Sequence, residues 1–234
     1  MRRPHIQVAD RLEDVTGAWR LVYQTYCRTE LIDPNPYGIY TVPQAVWSES
    51  AVFCGKVEGV IAYTMTAYHD GPQGLPLDAV YPDELNQLRR DGRSLLEVVL
   101  VADSRREITR QLRTLLELMR YATYFGLHGG SRDAVVGVHP RHAPFYQRLL
   151  GFQPLGAVRE HPGVKGAAVT LLHLDWNRLT TGASPPSAIA TFMAQPLDDQ
   201  TFTSAYRFAS EDLSQTVVGR YLAYRQSESL LTSA

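Results

Sequence analysis

The stretch "LLEVVLVADSRREITRQLRTLLELMR", residues 95–120, decides the fold class of this chain. Its first part is a continuous apolar run broken by a single charge, which is typical of a strand buried on both faces. After Asp103 the apolar residues recur every three or four positions, which predicts a long helix over residues 105–126 that ends at Gly126. A buried strand that leads directly into a long helix indicates a mixed α/β fold.

The segments on either side of this stretch predict further strands and helices. A short strand is expected over residues 5–9, followed by a helix that Asp10 opens and Glu13 supports in a capping-box pattern. Two strands with a tight turn at Glu58-Gly59 then form a hairpin. The other predicted elements are a helix over 81–92, a strand over 133–138, a helix over 143–152 and a strand over 167–176. Hairpins early in the chain and one strand–helix–strand crossover late predict a mixed sheet.

The length and character of the chain divide it into two parts. A chain of 234 residues is long enough for one domain with a full core and a small appendage. After Trp176 the regular pattern stops, and "NRLTTGASPPS" has the composition of a linker. We therefore predict a main α/β domain over residues 1–176 and, over residues 177–234, a linker followed by a helical C-terminal extension.

The composition argues against several classes of protein. Lys and Arg number 23 and Asp and Glu number 24, so the net charge of −1 gives no support to nucleic-acid binding. No apolar stretch reaches the roughly 18 residues that a membrane helix needs. The two cysteines are too few for a disulfide framework, and the first residues lack the apolar segment of a signal peptide. These features predict a cytoplasmic protein without a transmembrane segment.

Several strings, in the right order, carry a family resemblance. The element order, with "VVLVAD" before a long helix and "FYQRLLGF" after the next strand, resembles the GNAT acyltransferase superfamily. Residues 15–176 resemble, more narrowly, the N-acyl amino acid synthase family, whose members are relatives of the acyl-homoserine lactone synthases. The strings that carry this narrower resemblance are "WRLVYQTYCRTELIDPNP", "GPQGLPLDAVYPDEL", "LRRDGRSLLEV" and "HPGVKGAAVTLLHLDW". The resemblance implies an α/β fold with a GNAT-like mixed central sheet flanked by helices.

The resemblance also implies a reaction and its substrates. In this family a fatty acyl chain passes from the thioester of an acyl carrier protein to the amino group of an amino acid. The implied donor is an acyl-phosphopantetheine thioester, on acyl carrier protein or coenzyme A, with no permanently bound cofactor. Two alternatives stay open: a coenzyme A-dependent N-acetyltransferase, and a non-catalytic module that binds acyl carriers or lipids.

Glu97 is the first candidate for a catalytic residue. It is the one charge in an apolar strand, where loss of water raises the pKa of a carboxyl and makes it a better base near neutral pH. Alternation along the strand puts Val99 and Val101 on the same face, as candidates for lining the substrate site. The alternative is a structural carboxylate satisfied by an arginine across the sheet. In the lactone synthases that the chain resembles, a Glu in this strand is part of the active site, and Ser-Arg follows where this chain has Val99 and Leu100.

Two further candidates lie after the next strand. The resemblance to GNAT enzymes implies that Tyr146, early in its helix, protonates the departing thiolate. The alternative is a tyrosine that serves only as core. His139 ends a predicted central strand and is expected to line the acceptor pocket. His139 and His142 do not predict a metal site, because Pro140 makes a turn between them and no cysteine or carboxylate pair completes a ligand set.

The first helix supplies candidates for acceptor binding. The resemblance implies that an arginine in this helix contributes to the active site, and the matching residue is Arg20, with Tyr23 one turn further on. If it faces inward, Arg20 can hold the carboxylate of an acceptor. The alternative is an exposed arginine on an amphipathic helix.

The junction after Asp103 holds arginines but no glycine. A coenzyme A pyrophosphate site is expected to use glycines there, because Cβ atoms keep the backbone from closing round a phosphate. A carrier protein presents one phosphate and an acidic helix, which arginines at a helix N-terminus can bind. Arg105, Arg106 and Arg110 are therefore predicted to bind acyl carrier protein. The alternative is a solvated face with ion pairs to Glu117.

Overall fold

The computed structural model describes residues 4–104, 112–177 and 195–232. Helices and strands make up most of this part of the chain. The strands are β1 (His5–Val8), β2 (Ser50–Val57), β3 (Val60–His69), β4 (Leu95–Asp103), β5 (Asp133–Val138), β6 (Gln153–Pro154), β7 (Arg159–His161) and β8 (Ala167–Asp175). The helices are α1 (Leu12–Arg28), α2 (Pro82–Arg90), α3 (Leu112–His128), α4 (Ala143–Leu150), α5 (Gln200–Thr203), α6 (Ser210–Leu213) and α7 (Val217–Thr232). None of the helices within these ranges is long and apolar enough to cross a membrane.

One sheet organises the fold. Its strand order is β1-β2-β3-β4-β5-β8-β6, with β7 paired to β8, and among the described strands only the β4–β5 pair is parallel. A parallel pair needs a crossover, and the chain between β4 and β5 that includes α3 supplies it. The mixed α/β fold class is therefore confirmed, as are the hairpin and its turn, where Glu58 and Gly59 have φ values of +52° and +80°.

Two apolar clusters cover the two faces of the sheet. The first holds Leu96 and Val98 of β4 against α3 and α4. The second holds Leu95 and Leu100 of β4 against α1, α2 and the loops that follow α1. Burial of this apolar surface on both faces is what stabilises the central strands.

The strands β4 and β5 diverge partway along their length. Their pairing extends only from Leu95 to Glu97 on β4, opposite Asp133 to Val135 on β5. Beyond Glu97, β4 pairs only with β3, and β5 continues to Val138 paired with β8. The two strands leave a gap between them, and a gap inside a covered sheet is a natural place for a ligand.

A β-bulge reverses the alternation of β4 after Val99. Leu100 and Val101 lie opposite one residue of β3, and Leu100 has a φ of +52°, a conformation that a leucine rarely adopts. Leu100 consequently packs in the second cluster, and Val101 packs against the first. The prediction that Val101 shares a face with Glu97 was therefore wrong, since simple alternation takes no account of an inserted residue.

Two predicted helix ends differ from the structure. Arg11, rather than Asp10, precedes α1, and no side-chain hydrogen bond caps the helix. The helix α3 continues past Gly126 to His128. A side chain at Gly126 would approach the Trp176 ring to 2.1 Å, so this glycine permits close packing and does not end the helix.

The described C-terminal helices pack onto the main fold. Phe202 and Ala205 join the first cluster, whereas Val218 and Tyr221 are fully buried in the second. Most of the predicted linker lies outside the described residues, so the boundary after residue 176 stays a prediction. The extension nevertheless contributes buried surface to both faces.

Candidate active site

A cavity of about 540 Å³ occupies the gap between β4 and β5. This volume lies within the range of small-molecule sites. Residues of β4, β5 and β8 give it a largely apolar wall, which suits an acyl chain. These residues are Val98, Val99, Leu100, Val101, Val136, Val138, Ala168 and Val169. Val99 and Val101, which the sequence predicts to line the substrate site, both border this cavity, Val101 from the other side of the strand; their role in substrate binding stays a prediction.

Glu97 lies in the cavity wall where the two strands separate. Its side chain is nearly buried, with 2% of the residue exposed, and one carboxylate oxygen accepts a hydrogen bond from the Leu77 N–H at 2.9 Å. Burial raises the pKa of the Glu97 carboxyl well above its usual value. The Leu77 N–H opposes this rise in pKa, and the nearby carboxylates Asp78 and Asp70 add to it. A carboxyl in this environment is a stronger base once it is ionised.

An arginine network holds the loop that contacts Glu97. The Arg89 guanidinium binds Asp70 and Asp78, each at 2.7 Å, and Asp78 also accepts the Leu75 N–H at 2.7 Å. These bonds fix residues 70–79, so the Leu77 N–H is oriented toward the carboxyl. Among the described residues, no cation forms an ion pair with Glu97. Arg89 therefore acts on Glu97 through the loop and through its charge, not by direct contact.

Tyr146 lines the same cavity from α4. The residue is buried, and its ring packs against Phe145 and Phe152 with centroid distances of 5.4 and 5.8 Å. The aromatic contacts fix the position of the ring, as the structural alternative expects. Since the residue also borders the cavity, its hydroxyl stays a candidate donor to a leaving group, and the acid role stays a prediction.

His139 lies at the mouth of the cavity, where β5 ends. Its side chain is exposed, and its Nδ1 accepts the Arg141 N–H at 3.2 Å. Arg141 in turn donates from Nε to His142 Nε2 at 3.1 Å. Arg141 gives this rim a positive charge, and the role of His139 in acceptor binding stays a prediction.

Arg20 and Tyr23 lie away from the cavity wall. Arg20 is exposed, and the Tyr23 hydroxyl donates to the Asn35 carbonyl at 3.5 Å. The buried stripe of α1 runs through Ala18 and Val22, and Arg20 is about 200° from Val22 round the helix axis. The α1 residues Thr25 and Tyr26 reach the cavity, as does Thr29, the residue that follows the helix.

Arg105, Arg106 and Arg110 lie outside the described residues. Their assignment to carrier binding therefore stays a prediction. The nearest described residue on the strand side is Ser104, whose N–H donates to the Ala62 carbonyl at 2.9 Å. This bond holds the end of β4 against β3, immediately before the arginine-rich stretch of the sequence.

The sequence did not predict the contribution of α7 to the cavity. Arg225 borders the cavity, and its guanidinium carbon lies 5.6 Å from the centre of the Tyr40 ring. Burial raises the pKa of the Tyr40 hydroxyl, and the positive charge of Arg225 opposes this rise. One signal was available, because Arg225 follows the buried Tyr221 by four residues and so shares its helix face.

A comparison with protein families gives this site a context. Residues 17–175, more than half of the chain, match the family of N-acyl amino acid synthase FeeM. The chain belongs to this family. It is accordingly an N-acyltransferase, and the family resemblance in its sequence is confirmed. No curated protein sequence matches the chain.

Solved structures share the fold at low sequence identity. FeeM, an N-acyl amino acid synthase from uncultured soil microbes, has a TM-score of 0.63 and 22% identity, covering 82% of this chain and 99% of FeeM. The coenzyme A-dependent acyl-homoserine lactone synthase BjaI has a TM-score of 0.53 and 16% identity, covering 82% of this chain and 99% of its own. An acetyltransferase of the GNAT family from Streptococcus pneumoniae has a TM-score of 0.51 and 14% identity, covering 74% of this chain and 98% of its own. These likenesses confirm the GNAT-like fold.

Proposed function

We propose that this enzyme transfers a fatty acyl chain from the thioester of an acyl carrier protein to the amino group of an amino acid, giving an N-acyl amino acid. The observation that carries the proposal is the apolar cavity between β4 and β5 with the buried Glu97 carboxyl in its wall. An apolar channel accommodates the acyl chain and its pantetheine arm. A carboxyl of raised pKa at the same place suits the removal of a proton from an amine.

The proposed reaction is a direct transfer. The amine nitrogen attacks the thioester carbonyl carbon, and the Glu97 carboxylate takes a proton from the nitrogen. The tetrahedral intermediate then collapses, the carbon–sulfur bond breaks, and the thiolate takes a proton from the Tyr146 hydroxyl. The products are the amide and the pantetheine thiol. The Glu97 carboxyl then releases its proton to solvent and the Tyr146 phenolate takes one up, which restores both groups for the next turnover. The proposal is supported by the position of Glu97 and Tyr146 at one cavity, and direct attack by the amine needs no covalent enzyme intermediate.

The test is a transfer assay with paired donors. The purified enzyme is incubated with acyl carrier protein and with coenzyme A bearing the same long acyl chain, together with each of the twenty amino acids. Mass spectrometry detects the amide, and a thiol reagent follows release of the pantetheine thiol. We expect amide formation with the carrier donor. No amide with any amino acid would contradict the proposal, and productive use of acetyl-coenzyme A alone would favour an N-acetyltransferase.

We expect only a modest loss of activity in the Tyr146→Phe variant. The substitution removes the hydroxyl and keeps the ring contacts with Phe145 and Phe152. A cysteine thiol has a pKa of about 8.5, and the chemically similar pantetheine thiolate also leaves readily and needs little help from an acid. The expected fall in kcat is therefore less than about tenfold. The measurement is kcat at saturating donor, with Tyr124→Phe as a buried tyrosine control; equal rates in Tyr146→Phe and wild type would remove the acid role.

The double variant Arg106→Glu, Arg110→Glu tests the predicted binding of acyl carrier protein by the arginines that follow Asp103. The change replaces attraction for an acidic carrier helix by repulsion, so the KM for acyl carrier protein is expected to rise roughly tenfold or more. The kcat at saturation stays near wild type, since the reacting groups lie elsewhere. The matched control, Arg11→Glu with Arg90→Glu, makes the same charge change at two exposed arginines. Equal losses with a small acyl-pantetheine donor would contradict a docking role.

A further inference from the structure

The helix α7 fixes one wall of the cavity. Val218 and Tyr221 are fully buried, and the Tyr221 hydroxyl donates to the Thr41 carbonyl at 3.5 Å. The Tyr37 ring lies 6.2 Å from the Tyr221 ring and 5.6 Å from the Tyr224 ring. These contacts hold α7 against residues 37–41. Because the helix is fixed one turn before residue 225, the next turn is held at the cavity wall.

Arg225 supplies a positive charge to that wall. Its guanidinium lies over the Tyr40 ring, whose hydroxyl donates to the Gly163 carbonyl at 2.7 Å. This hydrogen bond holds the Tyr40 ring in place, and the half-buried Arg225 side chain lies against that ring. Among the described side chains, no carboxylate forms an ion pair with Arg225. A half-buried guanidinium that borders an apolar cavity is available to a carboxylate of the substrate.

Among the described residues, a second arginine, Arg141, borders the cavity and is placed differently. Arg141 is exposed at the rim, and its Nε is bonded to His142. Arg141 therefore suits the approach of a donor from solvent, whereas Arg225 is half-buried beside the Tyr40 ring at the cavity. Arg225 lies over the Tyr40 ring, and the Tyr26 ring lies 5.2 Å from that of Tyr40; all three residues border the cavity.

We infer that Arg225 binds the α-carboxylate of the acceptor amino acid and so selects amino acids over amines that lack a carboxylate. This inference rests on the proposed function, because it requires an amino acid as acceptor. Arg225 lies outside residues 17–175, which match the family, so the C-terminal extension adds acceptor recognition to the shared fold. The planar guanidinium offers two parallel N–H donors to the two carboxylate oxygens, which an ammonium group does not.

The test compares an acceptor that carries a carboxylate with a matched acceptor that does not, in enzymes with and without the Arg225 guanidinium. The first step identifies, among the twenty amino acids, the best acceptor of wild-type enzyme. That amino acid and its own carboxamide, which keeps the amine and side chain but carries no negative charge, are then used with wild type, Arg225→Ala, Arg225→Lys and Arg220→Ala. Arg220 is the matched control, since it is an exposed arginine on the same helix and donates to the Gln215 carbonyl at 3.1 Å. Thermal unfolding checks that each variant is folded.

The expected result is a loss confined to the charged acceptor. Arg225→Ala raises the KM for the amino acid by roughly 10- to 100-fold and changes the kcat/KM for the carboxamide by less than about threefold. Arg225→Lys recovers part of the loss, and Arg220→Ala behaves as wild type. Equal losses with both acceptors, or no loss with either, would overturn the assignment of Arg225 while leaving amide formation intact. Failure of the wild-type enzyme to acylate any amino acid would instead refute the proposed function, and this inference with it.

Discussion

The Glu97→Gln variant is expected to fold normally and to lose at least about 10²-fold in kcat. Glutamine has the same shape, and its carbonyl oxygen can still accept the Leu77 N–H that now binds the carboxylate at 2.9 Å. It has no basic oxygen at neutral pH, so the attacking amine loses its proton acceptor. The measurement is steady-state kcat with the preferred donor and acceptor. Glu13→Gln, an exposed glutamate on α1, is the matched control.

The pH dependence of this loss identifies its cause. Burial raises the pKa of Glu97 well above its usual value, so the wild-type rate rises with pH as the carboxyl ionises. In the Glu97→Gln variant the acceptor amine still ionises with pH, but no carboxyl titrates at position 97. The ratio of the wild-type to the variant rate is therefore expected to increase with pH across the raised pKa of Glu97. A ratio that stays constant with pH would contradict the role of Glu97 as the base.

At a pH where Glu97 is ionised, the Glu97→Gln substitution is expected to lower activity but not thermal stability. Because the folded state raises the pKa of Glu97, the stability that this group contributes is present at a pH below its unfolded pKa. This contribution is lost as the pH rises through the folded pKa. Glutamine stays neutral throughout, so at pH 8 the Tm of the variant is expected to equal or exceed that of wild type. The measurement is Tm of both proteins between pH 5 and pH 8; a variant with a lower Tm at every pH would show a structural role instead.

The elements of the sheet could be predicted from the sequence because their signals are local. The apolar run of β4, the positive-φ turn at Glu58-Gly59 and the periodicity of α3 each occupy a few consecutive residues. Glu97 was identifiable for the same reason, since one charge in a buried strand is visible without any neighbour. What the sequence did not reveal was its partner, the Leu77 N–H, which lies 20 residues earlier.

The parts of the site that sequence reasoning misplaced depend on contacts between distant segments. The bulge at Leu100 places a leucine at a φ of +52°, a conformation that its residue type argues against. Arg20 and the wall residue Thr25 lie on one amphipathic helix, and only the packing of α1 on the sheet decides which of them faces the cavity. Arg225 lies 185 positions from Tyr40, so no local pattern of residues links the two.

We expect a second large effect on catalysis when the ion pairs of Arg89 with Asp70 and Asp78 are removed. Arg89→Met removes the cation that binds Asp70 and Asp78 and leaves two carboxylates near Glu97. Arg89 lowers the pKa of Glu97, whereas Asp78 and Asp70 raise it, so this pKa is expected to rise further in the variant. Each unit of such a rise lowers the ionised fraction of Glu97 about tenfold at a pH below the pKa. At a pH below the pKa of Glu97 the rate is therefore expected to fall tenfold or more.

The loss of activity in Arg89→Met is expected to be reversed at high pH, because the Glu97 carboxyl is still present. The rising limb of the pH–rate profile moves to higher pH, and kcat approaches that of wild type at the alkaline end. Adding Asp70→Asn to Arg89→Met removes one of the two uncompensated charges, which moves the limb back toward the wild-type position. Arg90→Met is the matched control, since Arg90 is the next residue of α2, is exposed and donates to Gln87. If Arg89→Met lost the same fraction of activity at every pH, then the network would support the loop that holds Leu77 without setting the pKa of Glu97.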